Sequence, residues 1–286
     1  MLEGMDAADS WLRRLARSRL DPAEATGLAL TVALAVIFIA GLAFGLLAVM
    51  VTTRTGLYRY DAGAAAWGAR HATPGTVRVL RVVTQLGSTV VVVTEAVLLG
   101  LADVRRRGRW SGAAFLLTVV LGQNLISNGV KLLVRRDRPL VRPPLSPGTG
   151  FSYPSGHTTA AAATYAAMAL LLGRGHRWPA RAWLAVAAAA VTVAVALSRV
   201  VLGVHWLTDV MGGAALGLGW FAVCSAAFGG RLLRFGAPVE QAEAAEAAEG
   251  GVAAEAAEGG VAGEAAEAGV AGEAAEGGGA DEAREA

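Results

Sequence analysis

Three short polar clusters hold the groups in this chain that could do chemistry: Lys131 with Arg138-Pro139, then Pro154-Ser155-Gly156-His157, then Ser198-Arg199 with His205 and Asp209. Together they supply three fixed cations, two imidazoles and a carboxylate. A phosphoryl group carries dense negative charge on its non-bridging oxygens, and its transfer needs those oxygens clamped while a nucleophile attacks in line. Arg138 and Arg199 offer forked donors for such oxygens, and Lys131 a point charge. Ser155 adds a hydroxyl. The backbone N–H groups of Gly156 and His157 open a helix whose dipole favours an anion, and Gly156 lets that backbone come close.

The two histidines separate by context. His205 and Asp209 are four residues apart. If a helix begins near His205 they share a face, so the carboxylate holds one ring nitrogen while the other is free to attack phosphorus. His205 is therefore the expected nucleophile. Asp209 sets its tautomer and stabilises the imidazolium as it forms. His157, beside the phosphate cradle, is the expected general acid for the leaving oxygen. The cations are built into the chain, so this chemistry calls for no metal and no cofactor.

The elements that must position these clusters are membrane helices. With 55% apolar residues, 17% charged and a mean hydropathy of +0.49, the chain reads as an all-α, polytopic membrane protein with no nucleic-acid partner. Six apolar runs of roughly 20 residues are expected to form a bundle. They cover about residues 26–52, 86–102, 111–130, 158–172, 182–197 and 208–228. The lone cysteine, Cys224, lies inside an apolar run and reads as a small buried hydrophobe.

The chain divides into an amphipathic lead-in over 1–25, a membrane domain over 26–236 and an acidic tail over 237–286. From Pro238 onward, twelve Glu and one Asp stand against one Arg, a net −12, while the preceding residues carry +14. A nonapeptide repeat begins at Glu246, Glu255, Glu264 and Glu273. Each unit has a single Val to bury, so the tail reads as disordered and not as a packed solenoid. Even span number places both termini on one side. With the N-terminus cytoplasmic, the inner segments hold thirteen Lys and Arg and the outer ones eleven, of which Lys131, Arg138 and Arg199 have a chemical reason to be there. The remaining bias puts the polar clusters on the extracytoplasmic face of the cell membrane.

In order and spacing the clusters resemble the signature of the type 2 phosphatidic acid phosphatase superfamily: Lys, six residues, Arg-Pro; Pro-Ser-Gly-His; Ser-Arg, five residues, His, three residues, Asp. The motifs span Lys131 to Asp209, and the helical layout extends the similarity over about residues 26–230. The resemblance implies a six-helix membrane phosphatase acting on lipid phosphates or diphosphates, of the undecaprenyl diphosphate or phosphatidate type, through a phosphohistidine. The same residues would serve a phosphotransferase, and a non-catalytic phosphate-binding membrane protein would need only the cations. The site is shared with soluble vanadium haloperoxidases, against which the membrane spans argue. The lead-in and tail have no counterpart in the pattern.

Other polar residues take plainer readings. Arg135 and Arg142 read as interfacial cations, as does Arg136 taken alone, and His71 and His176 as solvated loop residues. Gln123, Asn124 and Asn128 are expected to hydrogen bond between helices. Gly212, Gly213, Gly217 and Gly219 are expected to admit a close helix neighbour. The stretch Thr53–Thr84, with five arginines among aromatic and apolar residues, reads either as an interfacial cover over the site or as an aromatic anchor.

Overall fold

In hydrocarbon, every backbone N–H and C=O must find its partner within the same segment, which leaves the long apolar runs of this chain only the helix. The computed structural model describes residues 22–139 and 150–232, and all regular structure in them is helical. The helices are α1 (Pro22–Thr53), α2 (Asp61–His71), α3 (Pro74–Val83), α4 (Thr89–Arg107), α5 (Ser111–Val134), α6 (Gly156–Leu172), α7 (Trp178–Val201) and α8 (Leu207–Leu232). Single 3-10 turns, Gly56–Tyr60 and Thr84–Gly87, precede α2 and α4. The lead-in through residue 21, Arg142 and the acidic repeats lie outside the described residues.

Local chemistry sets the boundaries. Thr73 caps α3 by accepting from the Thr76 N–H, with Pro74 in the first turn. Ser88 caps α4 in the same way through Val91, and Gly108, at φ +67°, ends it. Arg135 adopts φ +49° and ends α5, reversing the chain toward the site.

Among the described residues, four helices are long and apolar enough to cross a membrane: Leu30–Thr53, Ser111–Val134, Trp178–Val201 and Leu207–Phe228. Pro74–Gly87 and Thr89–Arg107 make a fifth if taken as one span bent by 51°. The fourth expected span, α6, has 17 residues and falls short on length. Two helices also run past their expected ends. Lys131 lies in the last turn of α5, and Ser198 and Arg199 lie in the last turn of α7, not in the loops that follow.

Helix α8 packs between α1 and α6, α6 also meets α5 and α7, and α4 pairs with α5. Such contacts rest on close packing, because lipid is as apolar as the side chains. The glycines of α8 show this. A Cβ on Gly213 would lie 2.7 Å from Ser155 O, and one on Gly217 2.5 Å from Thr159 O, so only glycine lets α8 press onto α6. Phe115, Leu116, Val119, Ala163 and Cys224 fill the centre. Phe38, Ile39, Leu125 and Leu133 point outward as a lipid-facing belt. Gln123 and Asn128 do not bridge helices as expected. Gln123 donates to Val120 O, 3.1 Å, and Asn128 to Asn124 Oδ1, 2.6 Å, all on α5.

Candidate active site

The end of α5, the start of α6, the end of α7 and the turn before α8 meet at one end of the bundle, around a cavity of about 240 Å³. Lys131, Arg138, Gly156, His157, Arg199 and His205 all line it. Stretches separated by dozens of residues thus bring three cations and both imidazoles to one space. A Cβ on Gly156 would stand 3.2 Å from Lys131 Nζ, so the glycine leaves the ammonium room close to this backbone. Lys131 can therefore sit against the first turn of α6, where the leading N–H groups have no intrahelical acceptor.

His205 is 2% exposed and sits in a turn before α8, which begins at Leu207. The pair with Asp209 therefore forms without a shared helical face. Gly203, at φ +74°, turns the chain, and the His205 N–H donates to Arg199 O, 3.3 Å. Nδ1 lies 3.3 Å from Asp209 Oδ2, and Nε2 lies 3.3 Å from Arg138 Nη1. Arginine can only donate, so Nε2 accepts and Nδ1 carries the proton toward Asp209. Burial lowers the His205 pKa to about 4, with Asp209 opposing the shift and Arg199 and Arg138 adding to it. The ring is thus neutral at ordinary pH, with its Nε2 turned toward Arg138 of the cavity wall.

Asp209 is fully buried behind His205 and is held from several sides. Oδ2 accepts from the Ser152 hydroxyl and from the Trp206 N–H, 2.9 Å, and Oδ1 accepts from Arg136 Nη1, 2.7 Å. Arg136 also reaches Asp61 Oδ2, 2.5 Å, and Thr208 Oγ1, 2.7 Å. Asp61 in turn accepts from the Thr208 N–H, 2.8 Å, and hydroxyl, 2.6 Å. One guanidinium therefore bridges two buried carboxylates. Arg136 is not the interfacial cation expected from sequence.

Arg138 donates to Gly150 O, 2.9 Å, and Val204 O, 2.7 Å, which fixes its fork at the cavity wall. Burial lowers its pKa, with Asp209 opposing. Arg199 donates to Thr84 Oγ1, 2.9 Å, and its buried Nε has no hydrogen-bond partner among the described residues. Ser155 stands apart from the other expected phosphate ligands. It is fully buried, its Oγ accepts from Thr158, 3.1 Å, and it does not line the cavity.

The segment 53–88 supplies structural groups to this site. Asp61 anchors Arg136, Thr84 holds Arg199, and a Cβ on Gly87 would stand 2.5 Å from His157 O. Asp61 had a readable signal, as the only acidic residue among the five arginines of Thr53–Thr84. Ser152 had none.

A helical membrane bundle with cations and paired histidines around one cavity defines a membrane phosphoryl-transfer protein. The model of the PAP2 superfamily matches residues 112–232. The chain is 35% identical over 139 residues to phosphatidylglycerophosphatase B of Bacillus subtilis, covering 48% of this chain and 67% of that protein. It is 35% identical over 126 residues to lipid A 1-phosphatase of Rhizobium etli, covering 41% and 50%. The crystal structure of a transmembrane PAP2 type phosphatidylglycerolphosphate phosphatase from Bacillus subtilis superposes with a TM-score of 0.62 at 28% identity, over 68% of this chain and 96% of that one. The chain belongs to the PAP2 superfamily. It is a multi-pass membrane protein and a phosphoric-ester hydrolase.

Proposed function

We propose that the protein removes phosphate from a lipid phosphate monoester or diphosphate through a phosphohistidine formed on His205. The observation that carries this reading is that His205, with its Nε2 3.3 Å from Arg138 Nη1, lines a cavity together with Lys131, Arg138 and Arg199. The cations and the first N–H groups of α6 clamp the non-bridging oxygens. The Nε2 lone pair attacks phosphorus as the P–O bond to the lipid breaks, and His157, entering as the imidazolium with a proton taken up along with the anionic substrate, protonates the departing oxygen. Water then attacks the phosphohistidine and gives its proton to His157. The P–N bond breaks, releasing inorganic phosphate and restoring His205.

Asp209 holds the Nδ1 proton and balances the imidazolium charge, and Arg136 and Asp61 hold Asp209 in place. Ser155 supports the cradle from behind through its hydroxyl contact with Thr158 of α6, in place of direct phosphate contact. The proposed topology has six spans, with α6 as a short one and α4 completed by the bent segment before it. Both termini then lie in the cytoplasm, and the cavity opens on the extracytoplasmic side.

Phosphate release by the purified protein, with chelator present, tests the reading on phosphatidylglycerol phosphate, phosphatidate and undecaprenyl diphosphate. At least one lipid is expected to be hydrolysed, with His205→Ala lowering kcat by at least about 1,000-fold. Turnover that survives in this variant would contradict the assignment.

A further inference from the structure

The cavity extends beyond the cations along α5. Gln123, Asn124, Ser127 and Asn128 line it together with Lys131, on the stripe that positions i, i+1, i+4, i+5 and i+8 make on one helix face. At 1.5 Å rise per residue, Ser127 lies about 6 Å and Gln123 about 12 Å along the axis from Lys131, toward the middle of the bundle. The volume of about 240 Å³ equals on the order of eight waters of liquid, well above what one PO3 unit fills.

Polar groups within a membrane helix are costly unless they find partners, and those on this stripe do not find them on other helices. The Gln123 amide and the Asn128–Asn124 pair bond within α5, which leaves amide donors and acceptors for the cavity. Ser127 is 3% exposed, and its Oγ has no hydrogen-bond partner among the described residues. All four side chains are uncharged, and each both donates and accepts. That is the complement of hydroxyl groups. It does not suit a second phosphate, which would want cations, or an alkyl or prenyl chain, which would leave the buried Ser127 hydroxyl unpaired and give the remaining amide groups of the stripe nothing to bond.

We propose that Gln123, Asn124, Ser127 and Asn128 form a subsite for a polyhydroxylated alcohol, of the sugar or glycerol class, esterified directly to the phosphate that is removed. This rests on the phosphatase reading above and narrows it. Such a substrate places its phosphate among Lys131, Arg138 and Arg199 and its hydroxyls along α5, with the lipid tail beyond them. A site built to hydrogen bond a hydroxyl discriminates strongly against the analogue that lacks it, because its own groups are then stranded.

Two probes with the same tail, dodecyl glucoside 6-phosphate and dodecyl phosphate, separate the possibilities when phosphate release is measured on purified protein in detergent. The wild type is expected to favour the sugar phosphate in kcat/KM by at least about tenfold. Ser127→Ala and Asn124→Leu are each expected to lower that ratio by about fivefold or more, mainly through KM on the sugar phosphate. Ser127→Ala breaks no hydrogen bond seen in the fold, so its thermal unfolding should match the wild type and exclude misfolding as the cause. Equal or reversed preference in the wild type, or a ratio that neither variant moves, overturns the proposal and leaves the phosphatase reading standing. Release from neither probe, or undiminished release by His205→Ala, overturns both.

Discussion

The bundle buries an aspartate–arginine cluster at each end, and the two are built for different purposes. At one end Arg136 bridges Asp61 and Asp209, and Asp209 abuts His205 on the cavity. At the other, Asp103 of α4 pairs with Arg174 at 3.3 Å and with Arg107 at 3.2 Å. Space beside Asp103 is closed, because Gly112 of α5 lies so near the carboxylate that no Cβ would fit. Identical residue types thus clip helices together at one end and hold the proposed nucleophile beside a cavity at the other. Burial of an ion pair does not mark function. A neighbouring cavity lined by further polar groups does.

Substitutions can break this contrast. Arg136→Met leaves two buried carboxylates without their shared cation, and kcat in a phosphate-release assay is expected to fall about 100-fold with KM nearly constant. Arg136→Lys should recover part of that loss, since an ammonium can still neutralise Asp209. Asp61→Asn keeps the shape but removes one charge behind Arg136, and about a tenfold loss in kcat is expected. At the far end, Asp103→Asn is expected to leave kcat within about twofold while unfolding at lower temperature in detergent, because Arg174 loses its buried counter-charge. A large loss of kcat there would remove the distinction between the two ends.

The pH profile sharpens the same contrast. His205 must be neutral to attack, and its pKa is lowered from the ordinary 6.5 to about 4. Activity should therefore persist as pH falls through 6.5, with the His205 acid limb of kcat/KM lying near pH 4. A limb near 6.5 assigned to His205 would mean that the ring is not held in the buried setting described.

Much of the site was legible because its chemistry is carried by residue type and spacing. Lys131, Arg138, His157, Arg199 and His205 share one cavity as the three motifs imply. Groups that act through geometry alone were not. Arg136 sits in the run Arg135-Arg136-Asp137-Arg138, where nothing in composition tells which side chain turns inward. In the fold it is Arg136, the residue after the left-handed Arg135, that pairs with Asp61 and Asp209. Asp61 pairs with Arg136 across 75 positions, a contact that only the fold makes. Helix ends were misplaced at Lys131 and Arg199 because a cation at a helix terminus is as favourable inside the last turn as beyond it. Span number is the weakest inference from hydropathy here, since α6 is short and the segment before α4 is bent.

The central claim is that His205 becomes covalently phosphorylated during turnover. Rapid alkaline quenching during hydrolysis of a phosphorus-labelled lipid substrate, followed by peptide mapping, tests it most directly. Label is expected on the peptide bearing His205, formed within one turnover and absent from His205→Ala. Label on another residue, or turnover by the wild type with no trapped phosphohistidine under conditions that preserve one, would contradict it.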